Sequence, residues 1–451
     1  MKKLSLTIIA AWLTLCTYAQ NGISSPYSRY GFGIQAERAM GFNKGMAGVA
    51  QGFRNGQQVN IANPASYSAV DSLTALFDLG ISLQNSNHKM SGLQQNIRNS
   101  SFDYFAFQFR GAKNMGVTMG LLPITNIKYN FASSSETLDG KEDITSSYSF
   151  NGDGGLREVF IGMGWRPVKP LSLGFNVSYI WGEYTHNMTL AFSESSVFRL
   201  SRIYSADIST YSVQGGFQYI QPISKKDKIV LGGTYTLGHK FGSEAYRKTR
   251  TLNSSSTVET ESTDTIKKAF QLPNTFAMGL TYYHSDKLRV GADFELQKWS
   301  LCKFPNQQTV LSNDNLTDQY VSTTGQLNDR TKFALGMDWI PDPNSTSSYF
   351  KRCTYKVGGY YSQSYAKADV TGVVTDKPYE VGVSAGITFP IANRNIWHNR
   401  PLINMSVQWV HTNIPYLNAS TMRQSALTEN YFKFCLGITF SERWFYKWKV
   451  Q

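Results

Sequence analysis

Between residues 379 and 389 the chain alternates two unlike residue sets without a break. Tyr379, Val381, Val383, Ala385, Ile387 and Phe389 fall on one face, and Glu380, Gly382, Ser384, Gly386 and Thr388 on the other. A period of two sends successive side chains to opposite faces of an extended strand. One face is apolar, while the other is small and polar and suits a lumen better than a packed core. The pattern recurs at 171–181, at 288–297 and at 432–440, each time with Gly, Ser, Thr, Asn or a charge on the second face.

Charged residues make up 17% of the chain and aromatics 14%, a balance poor in charge for a soluble sandwich of this length. A barrel in lipid needs few charges outside and many small polar groups inside. Tyr282-Tyr283, Tyr360-Tyr361 and Trp181 lie at strand ends, where aromatic girdles meet the membrane interface. Connections alternate in length. Short turns are expected at 111–114, 166–170, 224–227 and 285–286, with two longer ones at 341–349 and 392–400. Long polar loops are expected at 85–100, 130–152, 187–205, 242–271, 301–328, 366–376 and 415–426. Short turns opposite long loops predict an all-β, transmembrane antiparallel β-barrel of about fourteen strands over 72–440, with both termini periplasmic.

The N-terminus fixes the compartment. Lys2 and Lys3 precede an apolar run from Leu4 to Leu15, and Thr17-Tyr18-Ala19 offers a cleavage site, so residues 1–19 are read as a signal peptide. Cys16 offers a lipidation alternative, disfavoured by the bulky Leu15 before it. Beyond the signal no apolar run reaches the length of a membrane helix, and the expected location is the bacterial outer membrane. The formal charge of +13 is scattered, with no helical basic stripe, which argues against nucleic acid and for weak attraction to outer-membrane lipid headgroups. Residues 20–71 lack strand periodicity; composition alone leaves open a plug inside the barrel or a loose tail. Residues 441–451, Ser-Glu-Arg-Trp-Phe-Tyr-Lys-Trp-Lys-Val-Gln, extend past the aromatic Phe440. They read as an interfacial aromatic-basic tail or as a docking peptide for another envelope protein.

Three words in the N-terminal segment carry a resemblance: the run from Ser24 to Gly33 (SSPYSRYGFG), the run from Gly45 to Ala50 (GMAGVA), and the run from Asn60 to Tyr67 (NIANPASY). With Leu121-Leu122-Pro123 closing the third strand, the chain resembles the FadL/TodX family of hydrophobic-compound transporters. The resemblance implies a barrel of the same strand number with an N-terminal plug. It also implies passive uptake of long-chain fatty acids or other hydrophobic small molecules through a lateral exit in the wall. Related PorV-type barrels instead serve as accessory subunits of larger secretion or assembly machines, and fold alone does not separate the two roles. Asn63, Pro64 and Ala65 form the plug motif, a rigid turn because proline fixes its own φ and restricts the residue before it.

Arg289, Asp293, Glu295, Lys356, Glu380 and Lys433 fall on the lumen-facing register, with Asp338 in the same class. Such charges either hold a plug or pair across the interior as structure. No catalytic set emerges: the histidines lack metal-ligand spacing and a Ser/Asp context, and no cofactor or metal is called for. Cys302, Cys353 and Cys435 fit no redox motif. Asn151-Gly152-Asp153-Gly154-Gly155 has no helix after it and reads as a loop.

Overall fold

The computed structural model describes residues 24–90, 93–132, 136–138, 141–194, 196–312, 315–367, 377–391, 401–418 and 423–443. The expected signal peptide, His398 and residues 444–451 of the expected C-terminal extension lie outside the described residues.

Fourteen antiparallel strands close into a barrel. In chain order these are β1 (Thr74–Met90), β2 (Leu93–Ala112), β3 (Met115–Pro123), β4 (Lys141–Val168), β5 (Leu171–Phe192), β6 (Arg199–Pro222) and β7 (Asp227–Thr236). The circuit continues through β8 (Thr275–His284), β9 (Leu288–Gln297), β10 (Arg330–Trp339), β11 (Thr354–Gln363), β12 (Tyr379–Pro390), β13 (Leu402–Asn418) and β14 (Arg423–Arg443). Closure comes from β14 pairing with β1, with Thr74 opposite Arg443 and Lys89 opposite Thr428. Closure joins the first strand to the last, and pairing of the wall backbone within the protein is the condition for strands to cross lipid.

The alternation has the expected sense. On β12, Val383 is exposed while its neighbour Ser384 is buried. Ile161, Phe175, Leu280, Phe333, Leu335 and Phe434 give the wall the same exposed apolar surface. These side chains face lipid, and an apolar belt of this size has no other solvent that suits it.

Several segments expected to be long loops are ladder instead. β1 and β2 run through 85–100, paired as far as Met90 with Leu93. β4 begins at Lys141, inside the loop expected at 130–152, and β5 and β6 extend well into 187–205. Ala245–Leu252 pairs with Val258–Ile266, and Phe304–Ser312 with Asn315–Thr323. In one of these strands both faces meet water, so pairing continues while the apolar half of the pattern disappears. Val258–Ile266, with Glu259, Glu261 and Asp264, is exposed along almost its whole length. The glycine-rich stretch at 151–155 likewise lies within β4.

The wall is broken at β3. Up to Leu122 its even-numbered residues point inward, but after Pro123 the inward set is Thr125, Ile127 and Tyr129. This single-residue slip is a bulge-like change of face. The continuation, Thr125–Ala132, stays on β4, while β2 pairs with β3 only from Phe105 to Ala112. Across the kink, Gly154 and Gly155 take positive φ of 131°, and a Cβ on Gly155 would lie 2.4 Å from the carbonyl oxygen of Thr125. Only glycine accepts both the dihedral and that approach.

Candidate functional site

The candidate site is the lumen, and residues 24–71 occupy it. The segment has little regular structure: Pro26–Arg29 and Pro64–Ala69 are 3-10 turns, and Gly41–Lys44 is a single helical turn. Its stability therefore comes from packing and from hydrogen bonds supplied by the wall.

Asn63 organises the plug motif. Its side-chain oxygen accepts from the Ala65 N–H at 3.1 Å as the cap of the Pro64–Ala69 turn. Its amide nitrogen donates to the Gln51 carbonyl at 2.9 Å and to the Phe217 carbonyl on β6 at 3.0 Å. One side chain thus caps a turn, crosslinks the plug and ties it to the wall. Proline at the first position of the turn fits its fixed φ.

Wall side chains satisfy the plug backbone around the barrel. Gly41 N–H donates to the Tyr104 hydroxyl at 2.7 Å, and that hydroxyl donates to Asp78 at 3.0 Å. Ala47 N–H donates to Ser384 at 2.8 Å, and Arg54 N–H to the Tyr283 hydroxyl at 2.7 Å. Gln218 donates to the carbonyls of Gln51 and Phe53, each at 3.0 Å, and Tyr67 donates to Asn176 at 3.1 Å. Irregular backbone buried in a barrel needs such partners, since each unpaired group costs about 1–3 kcal/mol.

Apolar side chains pack at two levels inside the barrel. In the plug, Phe42 stacks on Phe53 at 4.4 Å, within a cluster that includes Met40, Met46, Ile61, Tyr67 and Tyr104. Toward the long-hairpin end a second cluster surrounds Phe32, whose ring lies 5.1 Å from Phe304, 5.4 Å from Phe270 and 5.9 Å from Trp299. Tyr184, Ile127, Leu156, Phe241 and Tyr365 join it.

The plug also covers the seam beside β3. Ile34–Gln35 pairs with Asn126 and Thr125. Ala36 N–H donates to the Ile124 carbonyl at 2.7 Å, and Ser25 N–H to the Lys128 carbonyl at 3.0 Å. The edge left by the break is thereby paired from within.

The six lumen charges divide by partner. Asp293 takes two plug N–H groups, from Ala50 at 2.6 Å and Gln51 at 2.9 Å. Lys433 lies 3.8 Å from Asp103, the carboxylate that also binds the plug's buried Lys44. Arg289 pairs with Asp338 at 2.6 Å and lies over the plug's Phe53 ring at 4.9 Å. Glu295 pairs with Arg330 at 2.8 Å, Lys356 donates to Asn404 at 3.2 Å, and Glu380 accepts from the Tyr360 hydroxyl. Tyr104, Asp103, Gln218 and the plug's Lys44 and Arg54 were not singled out from the sequence. Tyr104 and Gln218 sit at inward positions that the alternation marks; Asp103 faces inward beside Tyr104 only through a register shift opposite Gly80 and Ile81, and the plug residues have no periodic signal. His186 is hydrogen-bonded to the Tyr129 hydroxyl at 2.7 Å and His411 to Asn430 at 2.8 Å.

The fold has solved counterparts. The toluene transporter TodX of P. putida superposes with a TM-score of 0.57 at 14% identity, covering 92% of this chain and 100% of that one. A FadL homologue of Pseudomonas aeruginosa gives 0.58 at 10% identity, covering 91% and 99%. The toluene transporter TbuX of Ralstonia pickettii gives 0.54 at 13%, covering 90% and 99%. The architecture is therefore that of the FadL/TodX outer-membrane barrels, as the N-terminal words implied. No curated protein matches the sequence. A family model described as BamG matches residues 1–451, the whole chain. On that full-length match, the chain belongs to the BamG family.

Proposed function

We propose that this protein is a closed barrel subunit of an outer-membrane protein assembly machine, with both termini and the short turns on the periplasmic side. The observation that carries this reading is the packing inside the barrel: the Phe32 cluster occupies one level and the hydrogen-bonded plug another. A channel for apolar solutes needs a vacant apolar pocket, and here aromatic side chains of the chain itself take that place. The family name points the same way. In this reading residues 20–71 are the plug, Asn63, Pro64 and Ala65 its anchor, and Asp293 with the other lumen charges its fixings. Ser441 to Arg443, expected in the extension, belong to β14, and residues 444–451 supply the aromatic-basic peptide for a periplasmic partner.

A second reading is passive uptake of fatty acids or other hydrophobic small molecules, and one observation favours it. The wall parts between β2 and the continuation of β3, where a displaced plug would leave a lateral opening. Purification of the native protein in mild detergent, with lipid extraction, separates the two. The assembly reading expects stoichiometric envelope proteins and no enriched fatty acid. Copurified fatty acid, with uptake lost on deletion and no protein partners, would overturn it.

A further inference from the structure

Four cations surround a cavity of about 350 Å³ at the short-turn mouth of the lumen. Arg110 on β2, Arg166 on β4 and Lys228 on β7 share the inward register with buried Gln108, Gly164 and Val230, and Arg54 reaches them from the plug. Their hydrogen-bond and ring partners are neutral, and the nearby Asp286 carboxylate acts on Lys228 through its charge alone. Arg54 donates to the Ala65 carbonyl, Gln218 and Ser68, at 3.3, 3.3 and 3.0 Å. Arg110 donates to Ser72 at 2.8 Å, Arg166 to Asn114 at 3.3 Å, and Lys228 lies 4.7 Å over the Tyr283 ring. Asp71 is the one carboxylate among the lining residues. Burial, with Arg166 close by, pushes the Arg54 guanidinium down to about 10.

Like charges gathered in a partly enclosed site repel one another, and an arriving anion relieves that repulsion. We infer that this mouth is a binding site for an acidic peptide segment of a periplasmic partner protein. The inward register turns the cations away from the lipid, so a membrane phospholipid headgroup is not the expected occupant. Their spread over three strands and the plug suits a ligand carrying several carboxylates, because each further contact becomes intramolecular after the first. The partner's existence rests on the assembly reading above.

The probe is a fluorescent peptide of alternating Asp and Gly, titrated against the full chain in detergent, with its Asn-Gly analogue as control. The test variants are Arg166→Gln and Lys228→Gln, and heat-modifiable gel migration verifies that each barrel is closed. The expected result is binding that weakens with salt, is absent for the Asn-Gly peptide, and falls roughly tenfold or more in the double variant. Equal binding of both peptides, an unchanged double variant, or no binding would each overturn the inference. So would inorganic phosphate or anionic phospholipid micelles binding more tightly than the peptide. The assembly reading fails separately, if the native wild-type protein purifies without partners.

Discussion

The carboxylate of Asp293 holds the backbone N–H of Ala50 at 2.6 Å, fixing a loop of the plug to the middle of β9. The same oxygen accepts from Gln51, so a single side chain anchors two consecutive peptide groups. Asp293→Ala leaves both N–H groups buried without an acceptor, at about 2–4 kcal/mol. Asp293→Asn keeps an acceptor oxygen and should cost less. Hydrogen exchange at Ala50 and Gln51 checks the order: fast in Asp293→Ala, intermediate in Asp293→Asn and slow in the parent. Equal exchange in all three would remove Asp293 from the set of plug fixings.

Asn63 combines a cap with two donor bonds, so its substitutions separate the two tasks. Asn63→Asp retains the cap but offers no donor to the Gln51 and Phe217 carbonyls, whereas Asn63→Ala loses both. The expected losses are about 1–2 kcal/mol and about 2–3 kcal/mol. Limited proteolysis of the plug reports them, with Asn63→Ala the more readily cut.

Adjacent glycines on β6 face opposite ways. A Cβ on Gly216 would lie 2.5 Å from the Asn63 side-chain oxygen and 2.9 Å from the Pro64 ring, while one on Gly215 would meet nothing within 4 Å. Gly216→Ala should lower the unfolding temperature through overpacking worth about 1–3 kcal/mol. Gly215→Ala should be neutral or slightly stabilising, because alanine is the better strand residue. Heat-modifiable migration on gels measures both.

Phe32 sits at the centre of the upper cluster. Phe32→Ala should open a cavity and cost about 3–5 kcal/mol. It should also create a site for a small hydrophobic dye that the parent lacks. Dye fluorescence equal in the two proteins would mean that the parent already has room for an apolar ligand, favouring the uptake reading.

Cys302 lies beyond β9, and burial, with Asp329 nearby, pushes its thiol up to about 12. The thiolate is the reactive form, so maleimide should label Cys302 only slowly at neutral pH in the folded protein and rapidly after denaturation. The folded pKa is raised, so the linked stability is present below the unfolded value of about 8.5 and is lost as pH climbs toward about 12. Fast labelling of the folded protein at neutral pH would contradict this environment.

What the sequence revealed follows the solvent on each side of the wall. Val383 and Ser384 meet lipid and lumen, so their alternation is visible in the residue types themselves. Glu259 and Glu261 belong to a strand with water on both sides, and nothing in their chemistry separates that strand from a loop. The break after Pro123 was half visible. Leu121-Leu122-Pro123 marked an end, but the reversal that turns Ile127 and Tyr129 inward depends on how Gly155 packs against Thr125. In the plug, Ala47 takes a left-handed φ of 56° and donates its N–H to Ser384. A conformation set by a residue more than three hundred positions away leaves no periodic trace. Asp293 stood out as an inward charge; its two plug N–H partners had no local signal.

The pairing of Ile34–Gln35 with Asn126 and Thr125 means that the N-terminal segment is masonry as well as stopper. Withdrawing it would empty the lumen and also uncover the strand edge at Thr125 and Asn126, so it is not a freely removable cork. Wall and filling must mature together, in one cooperative event. A chain beginning at β1 would finish with a bare strand edge beside β2, ready to recruit a strand from a neighbour.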